Sequence, residues 1–419
     1  MPDRPWTTDD PCGEIRGLAT TAGAVIVGEL TQKRHEIQLA TYIGTGKLTE
    51  LHDLVQATDA DVVIFDNDLS PAQARNLEKA LKVKVLDRSE VILDIFATRA
   101  QTVEARLQVE LAQLEYSMPR LKQMWTHLSR QAVGGIGLRG PGETQLEVDR
   151  RLVSNRIRDL KQKLAEVQAR KEREVKSRAA EHTVSLVGYT NAGKSQLMNT
   201  LTKAGVYVQN QLFSTLDTRT RQWRIRDWGR VLLSDTVGFI RDLPHHLVAS
   251  FKATLSEARY AKLLLHVVDA SSPQAKEHIQ AVNSVLKELG CDAKPTILVL
   301  NKIDKLADRT ALQVLEVHHP RAVAVSGLTG EGVSQLEEAV MDALAADFAE
   351  AEVVTHAGNG RVLAFLNANA EVYRQEFRDD SNEVVIRCHL PRHMLHHIAG
   401  PTVKVRFLEH NGQREHVEP

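Results

Sequence analysis

A phosphate-binding loop is the clearest chemical signal in the sequence. The run from Gly188 to Ser195 fits the pattern GxxxxGK[ST], follows the apolar segment TVSLV and precedes QLMNTLT, which favours a helix. In such a strand–loop–helix unit, backbone N–H groups surround the phosphates, Lys194 reaches the β and γ oxygens, and the Ser195 hydroxyl binds Mg²⁺. The predicted nucleotide-binding residues in this segment are Gly188, Tyr189, Thr190, Asn191, Ala192, Gly193, Lys194, Ser195 and Gln196.

Two downstream segments supply candidates for contacts to the metal and the γ-phosphate. RVLLSD ends in Asp235 and continues to Gly238 in the pattern DxxG, which predicts a carboxylate in the outer coordination shell of Mg²⁺ and a backbone N–H near the γ-phosphate. Between this strand and the phosphate loop, FSTLDT offers hydroxyl groups, of which Thr215 is the first choice for the metal and Thr218 the second. Lys194, Thr215 and Gly238 are therefore the predicted catalytic residues.

A short motif after a further apolar strand predicts which base is bound. TILVL is followed by NKID, in which the Asp304 carboxylate can accept hydrogen bonds from both N1–H and the amino group of guanine, a donor pair that adenine lacks. The stem of Lys302 can cover the base, and backbone N–H groups after the strand AVAVS can close over O6. In this order and at this spacing, the motifs predict a GTPase. The residues assigned to the base are Asn301, Lys302, Asp304, Ser326, Gly327 and Leu328.

The motifs lie in a region of alternating strands and helices, so the predicted fold class is α/β. Residues 181–347 repeat strand, loop and helix and predict a P-loop GTPase domain. Residues 1–100 predict an N-terminal α/β nucleotide-binding-like domain with a largely parallel sheet and strands AVIVGEL, DVVIFD and VKVLD. Residues 348–419 predict a small C-terminal α+β domain with a helix over 361–375, the strand EVVIRCH, a short helix over 392–398 and the strand VKVRFL.

Residues 101–180 predict an antiparallel helical hairpin linker. Two apolar stripes alternate spacings of four and three residues, as heptads do, and a loop over 134–143 with five glycines separates them. The stripes consist of Leu107, Leu111, Leu114, Met118, Leu121 and Trp125, and of Val153, Ile157, Leu160, Leu164 and Val167.

The second half of this linker is basic. Residues 146–178 contain eleven Lys and Arg against six Asp and Glu, a net charge of +5. This surface is either the solvated flank of a coiled coil or an arm that faces RNA. Under the second interpretation, the candidate RNA contacts are Arg139, Arg150, Arg151, Arg156 and Arg158.

The composition is typical of a globular protein with nearly balanced charge. The 419 residues contain 42% hydrophobic residues, enough for several cores, and 53 Lys and Arg nearly balance 54 Asp and Glu. An RNA partner would therefore require segregated charge. The three cysteines are too far apart in sequence for a CxxC metal or redox pair, and no apolar run reaches about 18 residues. We expect a cytoplasmic, monomeric protein without a membrane span.

Several of these segments resemble the HflX family, in the Obg–HflX group of P-loop GTPases. GGIGLRGPGETQLEVDRR, GYTNAGKS, FSTLDT, DTVGFIRDLPHHLVASFKATL and NKID carry the resemblance, which covers roughly residues 20–345. It implies a nucleotide-binding-like domain, a helical linker, a G domain and a short C-terminal domain. It also implies the large ribosomal subunit and its rRNA as partner, with splitting or rescue of stalled ribosomes under stress as the role. Gly327 departs from the Ser-Ala of the family but keeps the backbone donor.

Two positions bear on the rate of hydrolysis. In Ras-like GTPases a glutamine after DxxG orients the attacking water, whereas this chain has Phe239, so we expect slow turnover until the ribosome completes the site. Asn191 resembles the residue that holds K⁺ beside the phosphates in potassium-activated GTPases, and it is equally typical of a tight loop. The expected cofactor is Mg²⁺, with K⁺ under the first interpretation of Asn191, and GTP and GDP are the expected substrate and product.

Three functions remain open on the sequence. The first is a GTP-hydrolysing factor that binds the 50S subunit and is stimulated by it. The second is a GTP-dependent regulatory switch that docks a protein partner on its heptad stripe. The third is an ATP- or GTP-dependent RNA remodeller in ribosome assembly, for which the N-terminal domain lacks a Walker motif.

Overall fold

The computed structural model describes residues 10–121, 145–177, 182–203, 213, 218–225, 229–241, 256–306, 308–345, 348–378, 382–391 and 403–408. These residues form two compact units. The first contains the described residues up to 172 together with 213 and 237–241, and the second contains the rest. Among the described helices, none combines the length and the apolar character needed to span a membrane.

The first unit begins as a small α/β fold. Ser70, Asp87 and Thr102 each begin a helix by accepting a hydrogen bond from a backbone N–H of the first turn. Strands β1 and β2 are parallel. The elements are α1 (Gly13–Thr21), α2 (Thr45–Thr58), β1 (Val62–Ile64), α3 (Pro71–Leu81), β2 (Lys84–Leu86), α4 (Arg88–Arg99), α5 (Val103–Ser117), a 3₁₀ turn (Met118–Arg120) and α6 (Gln145–Ser177).

The strand predicted at AVIVGEL does not form. Residues 24–30 lie outside the strands and helices, and Val25 is 85% exposed. An apolar run becomes a strand only where a neighbouring strand pairs with its backbone, and in the described residues β1 and β2 pair with each other. DVVIFD and VKVLD do contain strands, so the parallel pair is smaller than the predicted sheet.

Helices α5 and α6 pack through the two predicted apolar stripes. Leu111, Leu160 and Leu164 are buried together. Ion pairs flank this seam: Glu110 contacts Arg156 at 2.7 Å, and Glu115 contacts Lys161 at 2.8 Å.

The ion pairs give the relative direction of the two helices. Both partners advance along the chain from one pair to the next, as they do when neighbouring helices run in the same direction. Antiparallel helices would pair the residues in the reverse order. The predicted antiparallel hairpin is therefore wrong for α5 and α6, because heptad spacing defines a packing face but not the direction of the helix that covers it.

The first unit contains a cluster of charged residues around the buried Arg88 side chain. The Arg88 side chain, 3% exposed, pairs with Glu14 at 2.6 Å and with Asp66, and it donates to the Arg241 carbonyl oxygen at 2.9 Å. The Arg241 guanidinium lies 3.3 Å from Asp66 and 3.7 Å from Glu14. These four residues are called the Arg88 cluster below. They attach a residue three positions beyond Gly238 to the N-terminal fold.

The second unit contains a six-stranded sheet in the order β4-β5-β3-β6-β7-β8. All neighbours are parallel except β4 and β5. The parallel arrangement brings the carboxyl ends of β3, β5, β6 and β7 to one edge, where α/β folds bind ligands. The elements are β3 (Thr183–Gly188), α7 (Lys194–Thr202), β4 (Arg219–Ile225), β5 (Gly229–Asp235), α8 (Ser256–Tyr260), β6 (Leu263–Asp269), α9 (Ala275–Glu288), β7 (Thr296–Asn301), a 3₁₀ turn (Ile303–Lys305), α10 (Thr310–His318), β8 (Val323–Ala324) and α11 (Val333–Ala345).

The C-terminal part of the second unit is a four-stranded antiparallel sheet with one helix packed on it. The strand order is β10-β11-β9-β12, and the elements are β9 (Phe348–His356), α12 (Gly360–Asn369), β10 (Glu371–Arg378), β11 (Glu383–Pro391) and β12 (Val403–Leu408). The predicted helix over 361–375 is too long, because residues from Glu371 onward pair with β11. The short helix predicted over 392–398 lies outside the described residues.

Candidate nucleotide site

The phosphate loop connects β3 to α7, and its backbone path requires glycine. Gly188 has a φ of 153°, and a Cβ atom there would lie 2.2 Å from the Val267 carbonyl oxygen. Gly193 has a φ of 91°, and a Cβ atom there would lie 2.4 Å from Nδ2 of Asn301. Asn191 is left-handed with a φ of 60°, which asparagine tolerates better than most residues. The pattern GxxxxGK thus specifies the shape of the loop.

Lys194 is the first residue of α7 and is 6% exposed. Its ammonium donates to the carbonyl oxygens of Gly188 at 3.1 Å and Tyr189 at 3.0 Å. Burial lowers the pKa of Lys194 to about 8, although the nearby Asp235 acts in the opposite direction. A buried cation whose hydrogen bonds go to neutral carbonyl groups is suited to an anionic ligand, which would restore its charge balance.

Ser195 and Asp235 are the candidate metal-binding residues of the site. The Ser195 hydroxyl donates to a carboxylate oxygen of Asp235 at 2.6 Å, and the Thr236 hydroxyl fixes the backbone beyond β5 by donating to the Leu186 carbonyl oxygen at 2.7 Å. Hydroxyl and carboxylate oxygens are hard donors that fit Mg²⁺, which needs few protein ligands when phosphates complete its shell. Within the described ranges, no group of three or more His, Cys, Asp or Glu could hold a metal ion without a substrate.

Asn301, at the end of β7, joins the phosphate loop to the loop after β8. Its Nδ2 donates to the Ala192 carbonyl oxygen at 2.9 Å, and its Oδ1 accepts from the Gly327 N–H at 2.8 Å. One buried amide therefore satisfies backbone groups of two loops that lie far apart in sequence. This contact holds the two loops in a fixed relation.

The loop at Gly327 is also held from α7. Its carbonyl oxygen accepts from Thr200 Oγ1 at 2.5 Å and from Gln196 Nε2 at 3.3 Å. A Cβ atom at Gly327 would lie 3.2 Å from the Leu197 backbone, so a side chain would force a small shift. Glycine at this position thus allows the loop to approach α7 closely.

Lys302 connects the base motif to the phosphate loop. Its Nζ donates to the Asn191 carbonyl oxygen at 2.6 Å and pairs with the Asp269 carboxylate at 2.7 Å. Its backbone is left-handed, with a φ of 65°. The side chain therefore crosses from β7 to the phosphate loop.

The Asp304 carboxylate is positioned by a serine. Ser326 Oγ donates to Asp304 Oδ1 at 2.6 Å, and the Leu328 N–H lies 3.3 Å from the same hydroxyl. Leu328 itself is 70% exposed. The second carboxylate oxygen and the backbone of this loop are suited to contact a base at the surface.

The structure brings most of the predicted nucleotide-binding residues into one network at the edge of the sheet. The predicted residues of the phosphate loop, β5, β7 and the loop after β8 all belong to the second unit. Gly238 is buried in the first unit. Thr215 and Arg139 lie outside the described residues.

Some residues that contact the predicted site were not themselves predicted from the sequence. Asp269 ends β6 just as Asp235 ends β5, and an acidic residue after an apolar strand was the available signal. Thr200 had no motif to mark it. The Tyr189 ring stacks on His278 of α9 with centroids 3.9 Å apart and planes at 14°, a contact that no local pattern reveals.

Three consecutive segments of the chain match models of GTPase families. Three family models match: "GTP-binding GTPase N-terminal" over residues 9–97, "GTP-binding GTPase Middle Region" over 99–178, and "50S ribosome-binding GTPase" over 183–302. A solved structure, the complex of SsGBP with GDP, is 26% identical with a TM-score of 0.46 and covers 78% of this chain and 94% of its own.

Sequence relatives extend over nearly the whole chain. GTPase HflX of Caldanaerobacter subterraneus subsp. tengcongensis is 47% identical over 349 residues, which cover 83% of this chain and 79% of the relative. GTPase HflX of Escherichia coli (strain K12) is 46% identical over 381 residues, which cover 90% of this chain and 89% of the relative. With this identity over this coverage, the chain belongs to the HflX family of GTPases.

Proposed function

We propose that this chain hydrolyses GTP at the site around Lys194 and Asp304 and uses the reaction to act on the large ribosomal subunit. The observation that carries the proposal is the network in which Asn301 and Lys302 join the phosphate loop to the base-binding loops. Such a network lets the occupied base pocket hold the phosphates in position. The finer role that we propose is splitting or rescue of stalled ribosomes under stress, in the cytoplasm.

The residues would divide the work of hydrolysis as follows. Lys194 binds β and γ oxygens, and Ser195 with Asp235 would hold Mg²⁺ together with Thr215. When bound by these residues, Mg²⁺ would supply positive charge that stabilises the negative charge developing on the phosphate oxygens. The Gly238 N–H would meet the γ-phosphate, because glycine allows close approach of the backbone.

The position after DxxG explains why a partner is needed. Phe239 is 2% exposed and has no polar atom that could orient a water molecule. Asn191 is a candidate ligand for K⁺ beside the phosphates because of its place in the phosphate loop, whereas its left-handed backbone is what the tight-loop interpretation predicts. GTP hydrolysis in K⁺ buffer should exceed hydrolysis in Na⁺ buffer of equal ionic strength, and equal rates would contradict the K⁺ assignment.

The ribosomal RNA contact is proposed for α6. Arg150, Arg151 and Arg158 are exposed on this helix, and Arg158 donates to the side chain of Asn155. Arg156 pairs with Glu110 at 2.7 Å, which reduces the charge that it can offer to phosphates, so we rank it below Arg150. The competing function, a protein docked on the heptad stripe, is disfavoured because Leu160 and Leu164 are already buried against α5.

The deciding experiment measures GTP hydrolysis with and without purified 50S subunits. We expect stimulation by 50S and sedimentation with 50S in the presence of a non-hydrolysable GTP analogue, with binding that weakens steeply as salt increases. The variant Arg150→Gln should bind 50S more weakly than Arg156→Gln, which removes the same charge from the same helix. If 50S subunits neither stimulate hydrolysis nor bind the protein, the ribosomal role is wrong, whereas the assignment of GTP hydrolysis is unaffected.

A further inference from the structure

The Asp269 carboxylate is held by hydrogen bonds from Ser271 and pairs with Lys302. Asp269 is the last residue of β6 and lies opposite Asn301 in the sheet, where the Ala270 N–H donates to the Asn301 carbonyl oxygen at 2.8 Å. One carboxylate oxygen accepts from the N–H of Ser271 at 3.0 Å and from its hydroxyl at 2.6 Å. The other oxygen therefore points to a single cation, Lys302, at 2.7 Å.

The ion pair determines where the Lys302 side chain lies. Lys302 and Asp269 are 14% and 20% exposed, so solvent screens the pair only in part. The same ammonium donates to the Asn191 carbonyl oxygen at 2.6 Å, and Cε would lie 3.6 Å from a Cβ atom at Gly193. Asp269 thus holds the lysine stem along the phosphate loop.

The pair also protects the carboxylate that reads the base. Asp304 is two residues from Lys302 in sequence, and within the described part of the chain it has no ion-pair partner. Its bonded oxygen receives a neutral hydroxyl from Ser326 at 2.6 Å. Because Asp269 provides the countercharge for Lys302, the charge of Asp304 remains available to the donors of the base.

We propose that Asp269 is a positioning residue for guanine nucleotides, which acts through Lys302 on the base pocket and the phosphate loop. It does not touch the reacting phosphates. Its loss should therefore raise the dissociation constant and the KM for GTP without lowering kcat at saturation, since the bound nucleotide still meets Lys194 in the same way.

The test compares Asp269→Asn with Glu277→Gln, which removes the same charge from an exposed position on α9. Fluorescent GDP and GTP analogues give dissociation constants, and steady-state kinetics give KM and kcat. We expect about a tenfold weaker binding and higher KM for Asp269→Asn, the size of one hydrogen-bonded charge pair, and no change for the control. Unchanged affinity, or a fall in kcat with KM unaffected, would overturn the proposal.

A double-mutant cycle shows whether the effect passes through Lys302. In a Lys302→Met background, Asp269→Asn should have little further effect on GDP affinity, because its partner is already gone. The same tenfold loss in both backgrounds would show that Asp269 acts on the fold generally. If Asp269→Asn does not fold, Ser271→Ala keeps the carboxylate but loosens it, and a smaller loss of affinity at constant kcat is expected.

Discussion

The Arg88 cluster and the nucleotide loops both bury positive charge, but they balance it in different ways. In the Arg88 cluster, two arginines share two carboxylates, those of Glu14 and Asp66, with Arg88 2.6 Å from Glu14 and Arg241 3.3 Å from Asp66. In the nucleotide loops, the hydrogen bonds that the buried Lys194 makes to described residues go to carbonyl oxygens, and the nearby Asp235 carboxylate is not bonded to it. The first arrangement is complete by itself, whereas the second needs an anion to complete it.

We infer from this difference that the Arg88 cluster serves mainly the stability of the fold, whereas Lys194 serves ligand binding. A cluster whose charges compensate each other contributes to folding and loses stability when one member is removed. A buried cation that is not hydrogen-bonded to a countercharge costs folding free energy, and we expect the protein to retain Lys194 because of what it binds. Substitutions in the two regions should therefore change different quantities.

The largest expected effect is on stability at Arg88. Arg88→Met should lower the free energy of unfolding by about 3–5 kcal/mol, because it removes the buried guanidinium that pairs with the partly buried carboxylates of Glu14 and Asp66. Urea denaturation measures the loss. Lys79→Met, which removes an exposed cation of α3, should stay within about 0.5 kcal/mol of wild type. A loss below about 1 kcal/mol for Arg88→Met would place the cluster among ordinary surface pairs.

Lys194→Met should have the opposite result to Arg88→Met, a large loss of activity without a loss of stability. The substitution keeps the apolar stem and removes the charge, so the maximal rate of GTP hydrolysis should fall about a hundred- to a thousandfold, or about 2.7–4 kcal/mol. Without nucleotide, the free energy of unfolding should be equal to or higher than that of wild type. Single-turnover hydrolysis and urea denaturation measure the two quantities. A less stable variant would contradict the contrast with Arg88.

A smaller, selective effect is expected at the base. Asp304→Asn should weaken GTP binding by about 1–3 kcal/mol and strengthen binding of XTP, whose exocyclic oxygen accepts the hydrogen bond that the amide can donate. The Ser326 hydroxyl can still donate to the amide oxygen, so stability should change little. Competition of GTP and XTP for a fluorescent nucleotide measures the shift, and a retained GTP preference would mean that the pocket is wrongly assigned.

The pH dependence of stability gives the smallest effect when it is measured one pH unit at a time. The folded protein has a Lys194 pKa of about 8, below the ordinary value of 10.5, so between these values the unfolded chain binds a proton that the folded chain has lost. The stability of nucleotide-free protein should therefore rise with pH through this window, by at most about 1.4 kcal/mol per pH unit from this group. Urea midpoints across the window should show a shallower rise for Lys194→Met. Equal slopes would contradict the assignment.

Sequence patterns were most informative where function depends on adjacent residues. The glycines and lysine of the phosphate loop are required by their own backbone angles and by close neighbours, so their spacing predicts a nucleotide loop without knowledge of the fold. The NKID motif predicted the base in the same way. Patterns were least informative for pairing, as residues 24–30 and 371–375 show: each had a local preference that the available strand partners overruled.

Local sequence predicted the chemistry of this protein, because a phosphate loop, a candidate metal carboxylate and a guanine-reading motif are each encoded in a few consecutive residues. How these parts are joined depends on the folded structure. The Lys302–Asp269 pair spans 33 residues of chain, the Asn301–Ala192 contact spans 109, and the Arg88–Arg241 contact spans 153. Such contacts depend on strand order and helix direction, which result from burial of the whole apolar surface and leave no local periodic signal.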